Sequence, residues 1–109
     1  MIIDSHAHFV PPSLLAEIAD TAADFPALEL VKYDNGIGFS FAGGKPTRPV
    51  NPSLSDVAGR LDWMDQHQIE RQVVGGWLDM FGYEMPAEDG ERWSRLINKH
   101  LSAFAVAQK

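Results

Sequence analysis

Two short apolar strands separated by helical segments constrain this chain more than any other feature of its sequence. Ile2-Ile3 opens a strand over Met1 to Phe9, which Pro11-Pro12 ends, because proline has no N–H to offer a ladder. Ser13 is placed to cap a helix, and Leu14, Leu15, Ile18, Ala19 and Ala22 make its apolar stripe to about Ala23, before Pro26. The second strand is Arg71 to Gly76, RQVVGG, preceded and followed by helical patterns. Strands that alternate with helices imply a parallel α/β arrangement.

The connection between them holds more detail. Leu28 to Tyr33 and Ile37 to Ala42 flank Asn35-Gly36, the strongest hairpin signal in the chain. Lys45 to Val50 reads as a third strand that Pro46 and Pro49 confine to an edge or an irregular position. Asn51-Pro52-Ser53 is a helix entry, and Leu54, Val57, Ala58, Leu61 and Met64 succeed it at spacings of three and four, predicting one buried face with Trp63 opposite. Trp77 to Met85 reads as an aromatic loop. After Pro86, Trp93, Leu96, Ile97, Leu101 and Phe104 form the stripe of a last helix running to the end, with Glu88 and Asp89 opposing its dipole.

A chain of 109 residues has room for one domain, and 45% apolar residues is ordinary for a globular fold. A net charge of -6 argues against a nucleic-acid or anionic-membrane surface. With no cysteine there is no disulfide scaffold, thiolate metal site or Cys nucleophile. No apolar run is long enough to span a bilayer, and the start lacks a basic leader region, so a cytoplasmic chain is expected. Two parallel strands leave edges and half-covered faces, and the last helix reaches Lys109 without a Gly or Pro stop. The expected organisation is thus a single partial domain, with strand and first helix at 1–25, a β insertion at 26–50, and helix, strand and helix at 51–109.

The candidate chemistry sits at Asp4-Ser5-His6-Ala7-His8. Side chains two apart on a strand share a face, so Asp4, His6 and His8 project together, the histidines at the strand's C-terminal end. Two imidazoles on one face can hold one metal ion, and strand C-terminal ends are where α/β enzymes build sites. The spacing alone is common: a shuffled chain with these four histidines contains it about one time in ten. A hydrogen-bonded histidine pair at a sheet end is the plainer alternative. His67, in a helix's last turn, and His100, inside the final stripe, read as structural. Arg48 comes after Gly43-Gly44 in a proline-rich segment, and its planar fork suits a carboxylate, although a solvated loop arginine has the same local sequence.

Taken together, IDSHAHFVPP at Ile3 to Pro12, GGKPTRP at Gly43 to Pro49 and RLDWMDQHQIERQVV at Arg60 to Val74 resemble the amidohydrolase superfamily, in its amidohydrolase-2 branch. FGYEMP at Phe81 to Pro86 and LINKHLSAFA at Leu96 to Ala105 extend the likeness. The resemblance covers the amino-terminal third of such an enzyme. It implies the front portion of a distorted (β/α)8 TIM-type barrel with a small antiparallel insertion after strand one. It further implies His6 and His8 as ligands of a divalent metal, zinc foremost, and Arg48 as the holder of a substrate carboxylate.

The function so implied is a metal-dependent decarboxylase or hydrolase acting on a small carboxylated molecule, with no nucleic-acid or membrane partner. The remaining ligands must come from a carboxy-terminal remainder or an oligomer partner, so the chain alone is expected to be inactive. The rival expectation is a non-catalytic binding or oligomerisation module.

Overall fold

The computed structural model describes residues 1–21 and 24–108. Its elements in chain order are β1 (Ile2–Phe9), α1 (Pro12–Thr21), β2 (Leu28–Tyr33), β3 (Gly36–Phe41), α2 (Val57–Gln66), β4 (Ile69–Gly76) and α3 (Ala87–Ala107). Short 3-10 turns at Pro52–Leu54 and Leu78–Met80 lead out of the loops. Ala22 and Ala23, the expected end of the first helix, and Lys109, the expected end of the last, lie outside the described residues.

The strands form two separate pairs. β1 lies parallel to β4, as the helical crossover requires, with Ile2 opposite Ile69 and Phe9 opposite Gly76. The register slips between Asp4 and Ala7, so three steps along β1 match two along β4 (Gln72 to Val74). β2 and β3 pair antiparallel from Leu28–Phe41 to Tyr33–Gly36. The turn is therefore Asp34-Asn35, one residue earlier than the Asn35-Gly36 signal indicates. Gly36 begins β3 at φ +146°, a conformation that suits glycine. The proline-rich segment after it stays irregular but still docks on β3: the Thr47 N–H donates to Phe39 O at 2.8 Å and the Val50 N–H to Ile37 O at 2.7 Å.

The core gathers on the hairpin side of the molecule. Trp93 of α3 is fully buried, with its ring edge-on to Phe25, Phe39 and Phe41, and its indole N–H donates to Met80 O at 2.7 Å. Leu14 and Ile18, one turn apart on α1, and Ile97 of α3 complete the layer against the sheet, with Trp77, Met80 and Met85 filling in from the aromatic loop. The parallel pair lies largely outside this layer. Ile2 and Ile3 remain 50% and 52% exposed and Val73 59%, so β1 is not the buried strand that its apolar opening predicts. The predicted buried face of α2 is likewise only half covered: Leu54, Val57 and Met64 are partly exposed, and Leu61 is 42% exposed.

These observations overturn the TIM-type barrel expectation. The described residues form a small α/β domain with three helices and two two-stranded sheets, one parallel and one antiparallel, rather than a run of alternating βα units. The physical reason is the location of the core. A barrel front would bury β1 and β4 from both sides, whereas here the apolar mass centres on Trp93 and the hairpin, and the parallel pair is covered only in part, at Phe9, whose ring stacks on Phe104 of α3 with Arg60 of α2 over it. Among the described residues no helix is long and apolar enough to cross a membrane.

Candidate functional site

β1 delivers its histidines to the C-terminal end of the parallel pair, before Pro11 turns the chain into α1. His8 is half-buried there, with Nδ1 at 3.0 Å from Gly76 O at the end of β4. A carbonyl can only accept, so Nδ1 carries the proton and Nε2 keeps its lone pair. This is how a backbone carbonyl orients a ligating imidazole. His6 is exposed and stands edge-on to His8, ring centroids 4.9 Å apart at 89°.

Asp4 does not join them as a third ligand. Its Oδ1 accepts the His6 backbone N–H at 3.1 Å and its Oδ2 accepts the Gln72 amide at 2.9 Å. The Gln72 hydrogen bond above all, with that of the His6 N–H, holds the Asp4 carboxyl below its ordinary value. Behind Gln72 lies Arg60 of α2, which donates to Gln72 Oε1 at 2.7 Å and to His8 O at 2.7 Å, its guanidinium 5.1 Å from the Phe9 ring centroid. A polar chain thus runs from α2 across both parallel strands and fixes the backbone that bears both histidines.

Arg48 comes to the same place from the irregular segment docked on β3. It and His8 line one cleft of about 600 Å³, together with Asn51, Ser53 and Trp77. That volume lies in the range of small-molecule sites. Arg48 pairs with Asp79 through Nε at 3.1 Å and lies 5.9 Å from the Trp77 ring centroid, its side chain 75% exposed. The terminal nitrogens of the fork take no part in that ion pair, which leaves them to meet a carboxylate entering the cleft. Gly38 makes this placement possible, since a Cβ there would stand 2.9 Å from both Thr47 O and Arg48 O.

The structure therefore brings His8 and Arg48 to one cleft at the end of the parallel pair, with the His6 ring beside His8 but outside the cleft's lining. His67 stays apart, capping α2 with Nδ1 on Trp63 O at 2.8 Å, and His100 stays with α1. As a metal centre the histidines fit as a partial set, two imidazoles where a catalytic zinc takes three protein ligands and a water. Among the described residues no group of three or more His, Cys, Asp or Glu is disposed to hold an ion. Sequence reasoning misses Arg60, Gln72, Trp77 and Asp79. Only Arg60 carries a signal, because it falls three residues after Val57 and four before Met64, inside an apolar stripe where a charge needs a reason.

No family model matches the chain, and no curated protein matches it.

Proposed function

We propose that the cleft is a metal-assisted site of the amidohydrolase-2 type that acts on a small carboxylated molecule, by decarboxylation or by hydrolysis. The observation that carries this reading is the presence of His8, from the parallel pair, and Arg48, from the irregular segment docked on β3, on the walls of one cleft. In this reading His6 and His8 hold a divalent ion, zinc foremost, and the other ligands come from outside the described residues. When bound, such an ion lowers the pKa of its water and polarises substrate oxygens. The chain's own contributions are to orient and to bind. Gly76 O sets the His8 tautomer, Arg48 takes the substrate carboxylate, and Trp77 supplies an apolar wall that strengthens that charge-assisted contact. The acidic, cysteine-free composition supports the cytoplasm as the compartment.

Calorimetric titration with zinc or cobalt tests the assignment. The chain should bind weakly, because two imidazoles supply only part of a zinc shell. His6→Ala and His8→Ala should each abolish binding, and Arg48→Ala should leave metal binding intact while weakening that of benzoate as a carboxylate probe. Equal metal binding by wild type and both histidine variants would overturn the reading. The half-exposed Ile2, Ile3 and Val73 favour the second reading, a binding or oligomerisation module. Stable self-association with no metal binding at all would assign the chain to it.

A further inference from the structure

We propose that Ser13 is a second, metal-independent nucleophile, activated by His100 and positioned through Glu17, that accepts acyl groups from small activated esters. Ser13 and Glu17 lie one turn apart on α1, so both point to the same side of the helix. His100 reaches them from α3, across 87 residues of sequence, and bridges the two. Ser13 Oγ is 2.7 Å from His100 Nδ1, and His100 Nε2 is 2.8 Å from Glu17 Oε2. A carboxylate only accepts, so Nε2 carries the proton and Nδ1 offers its lone pair to the hydroxyl. The array is nucleophile, base and orienter in hydrogen-bonding sequence, although the imidazole faces the serine with the opposite nitrogen from the usual hydrolase arrangement.

The surroundings fit that use. The His100 side chain is 11% exposed and Glu17 32%, while Ser13 itself is open to solvent. The base is therefore sheltered and the nucleophile reachable. The His100 hydrogen bond, aided by Lys99 at 3.5 Å, holds the Glu17 carboxyl below its ordinary value, so it stays ionised and keeps the ring in this tautomer. An oxyanion donor is also present. Pro12 has no N–H, and the Leu14 and Leu15 N–H groups both donate to Pro11 O. That leaves the Ser13 N–H, at the start of α1, free among the described residues beside its own Oγ.

In the reaction Oγ attacks the acyl carbon as its proton passes to Nδ1. The bond from that carbon to the leaving phenolate or alkoxide then breaks, and the leaving group departs with the proton. Water releases the acyl group by the same route, giving up a proton to Nδ1 and returning Ser13 with a free acid. The exposed setting selects a short acyl chain on a good leaving group.

The test mixes the purified 109-residue chain, in excess chelator, with p-nitrophenyl acetate, monitoring nitrophenolate release and mapping the acetylated peptide by mass spectrometry. Ser13 should carry the acetyl group, and Ser13→Ala should lose both release and label. His100→Gln should slow acylation by roughly 100-fold and erase the rise in rate as a single base deprotonates. Glu17→Gln should shift that pH profile while Ser13 remains the labelled residue, a change that loss of packing alone would not produce. Should His100→Gln fail to fold, Ser13→Ala decides alone, since its hydroxyl is exposed. Acetyl groups on lysines with none on Ser13, or an unchanged rate in Ser13→Ala, would overturn the proposal.

Discussion

At the scale of single residues, Arg60 ties three segments together and bears a cost for it. Burial lowers the pKa of its guanidinium, Asp4 opposes that shift, and its buried Nε has no partner among the described residues. Arg60→Met keeps an apolar stem over Phe9 but removes the donors to Gln72 and His8. The expected loss is about 1–3 kcal/mol in urea denaturation, with the His8 ring resonances broadened or shifted; unchanged stability and an unchanged His8 would show the network to be idle. Asp4 and Glu17 give the molecule an acid dependence. Both carboxyls are held below their ordinary values of 3.8 and 4.5, so the unfolded chain binds more protons as the pH falls. Their stabilisation is complete above those values and is lost as the pH drops through the lowered ones. Melting temperature should therefore fall modestly below about pH 4, and Asp4→Asn should flatten that slope without affecting the slope that Glu17 contributes. Such pairings are hard to read from sequence. Ser13 looks like a helix cap from its neighbours, yet its hydroxyl goes to His100, and no local pattern announces a partner in another helix.

At the scale of elements, the legible features are those decided locally. The hairpin, the β4 strand and the last helix arise from turn residues and from period, and each falls within a few residues of its expected place. The side each element faces is not legible in the same way. Ile2-Ile3 reads as buried because the pair is apolar, but burial depends on what packs above it, and the core assembles on Trp93 instead. Trp93→Ala should therefore cost about 3–5 kcal/mol in equilibrium unfolding, more than Trp93→Phe, which retains most of the apolar volume and loses the hydrogen bond to Met80 O. Gly38 makes a sharper test of how one element positions the site. Any Cβ there meets backbone oxygens of Thr47 and Arg48 rather than a movable side chain. Gly38→Ala should destabilise by about 1–3 kcal/mol and push the Arg48 segment off β3, and on the proposed assignment it should weaken carboxylate binding while leaving metal binding by His6 and His8 intact. If carboxylate affinity survives the substitution, Arg48 does not depend on that docking.

The whole molecule is lopsided. Its radius of gyration, 14.8 Å, exceeds the roughly 13 Å expected of a compact chain of this length, and its extents are 44 × 30 × 21 Å. Part of the length is α3, whose 21 residues span about 31 Å. The rest reflects a division of labour. One side holds Trp93, the hairpin, α1 and the aromatic loop; the other holds the parallel pair and α2, where Ile2, Ile3, Leu61 and Val73 meet solvent. Opening free energy tracks buried apolar contact, so the two sides should differ in protection. Native-state hydrogen exchange should find the slowest amides in β3 and in α3 around Trp93 and Ile97, and faster exchange along β1 from Ile2 to His6. On the proposed metal assignment, zinc should slow exchange at His6, Ala7 and His8 first, because a ligand held by two imidazoles would stabilise the strand that bears them before it reached the distant core. Uniform protection across β1 and β3 without metal would mean that the parallel pair is as firmly held as the hairpin. The histidine pair would then rest on a rigid edge, and zinc would have little exchange there to suppress.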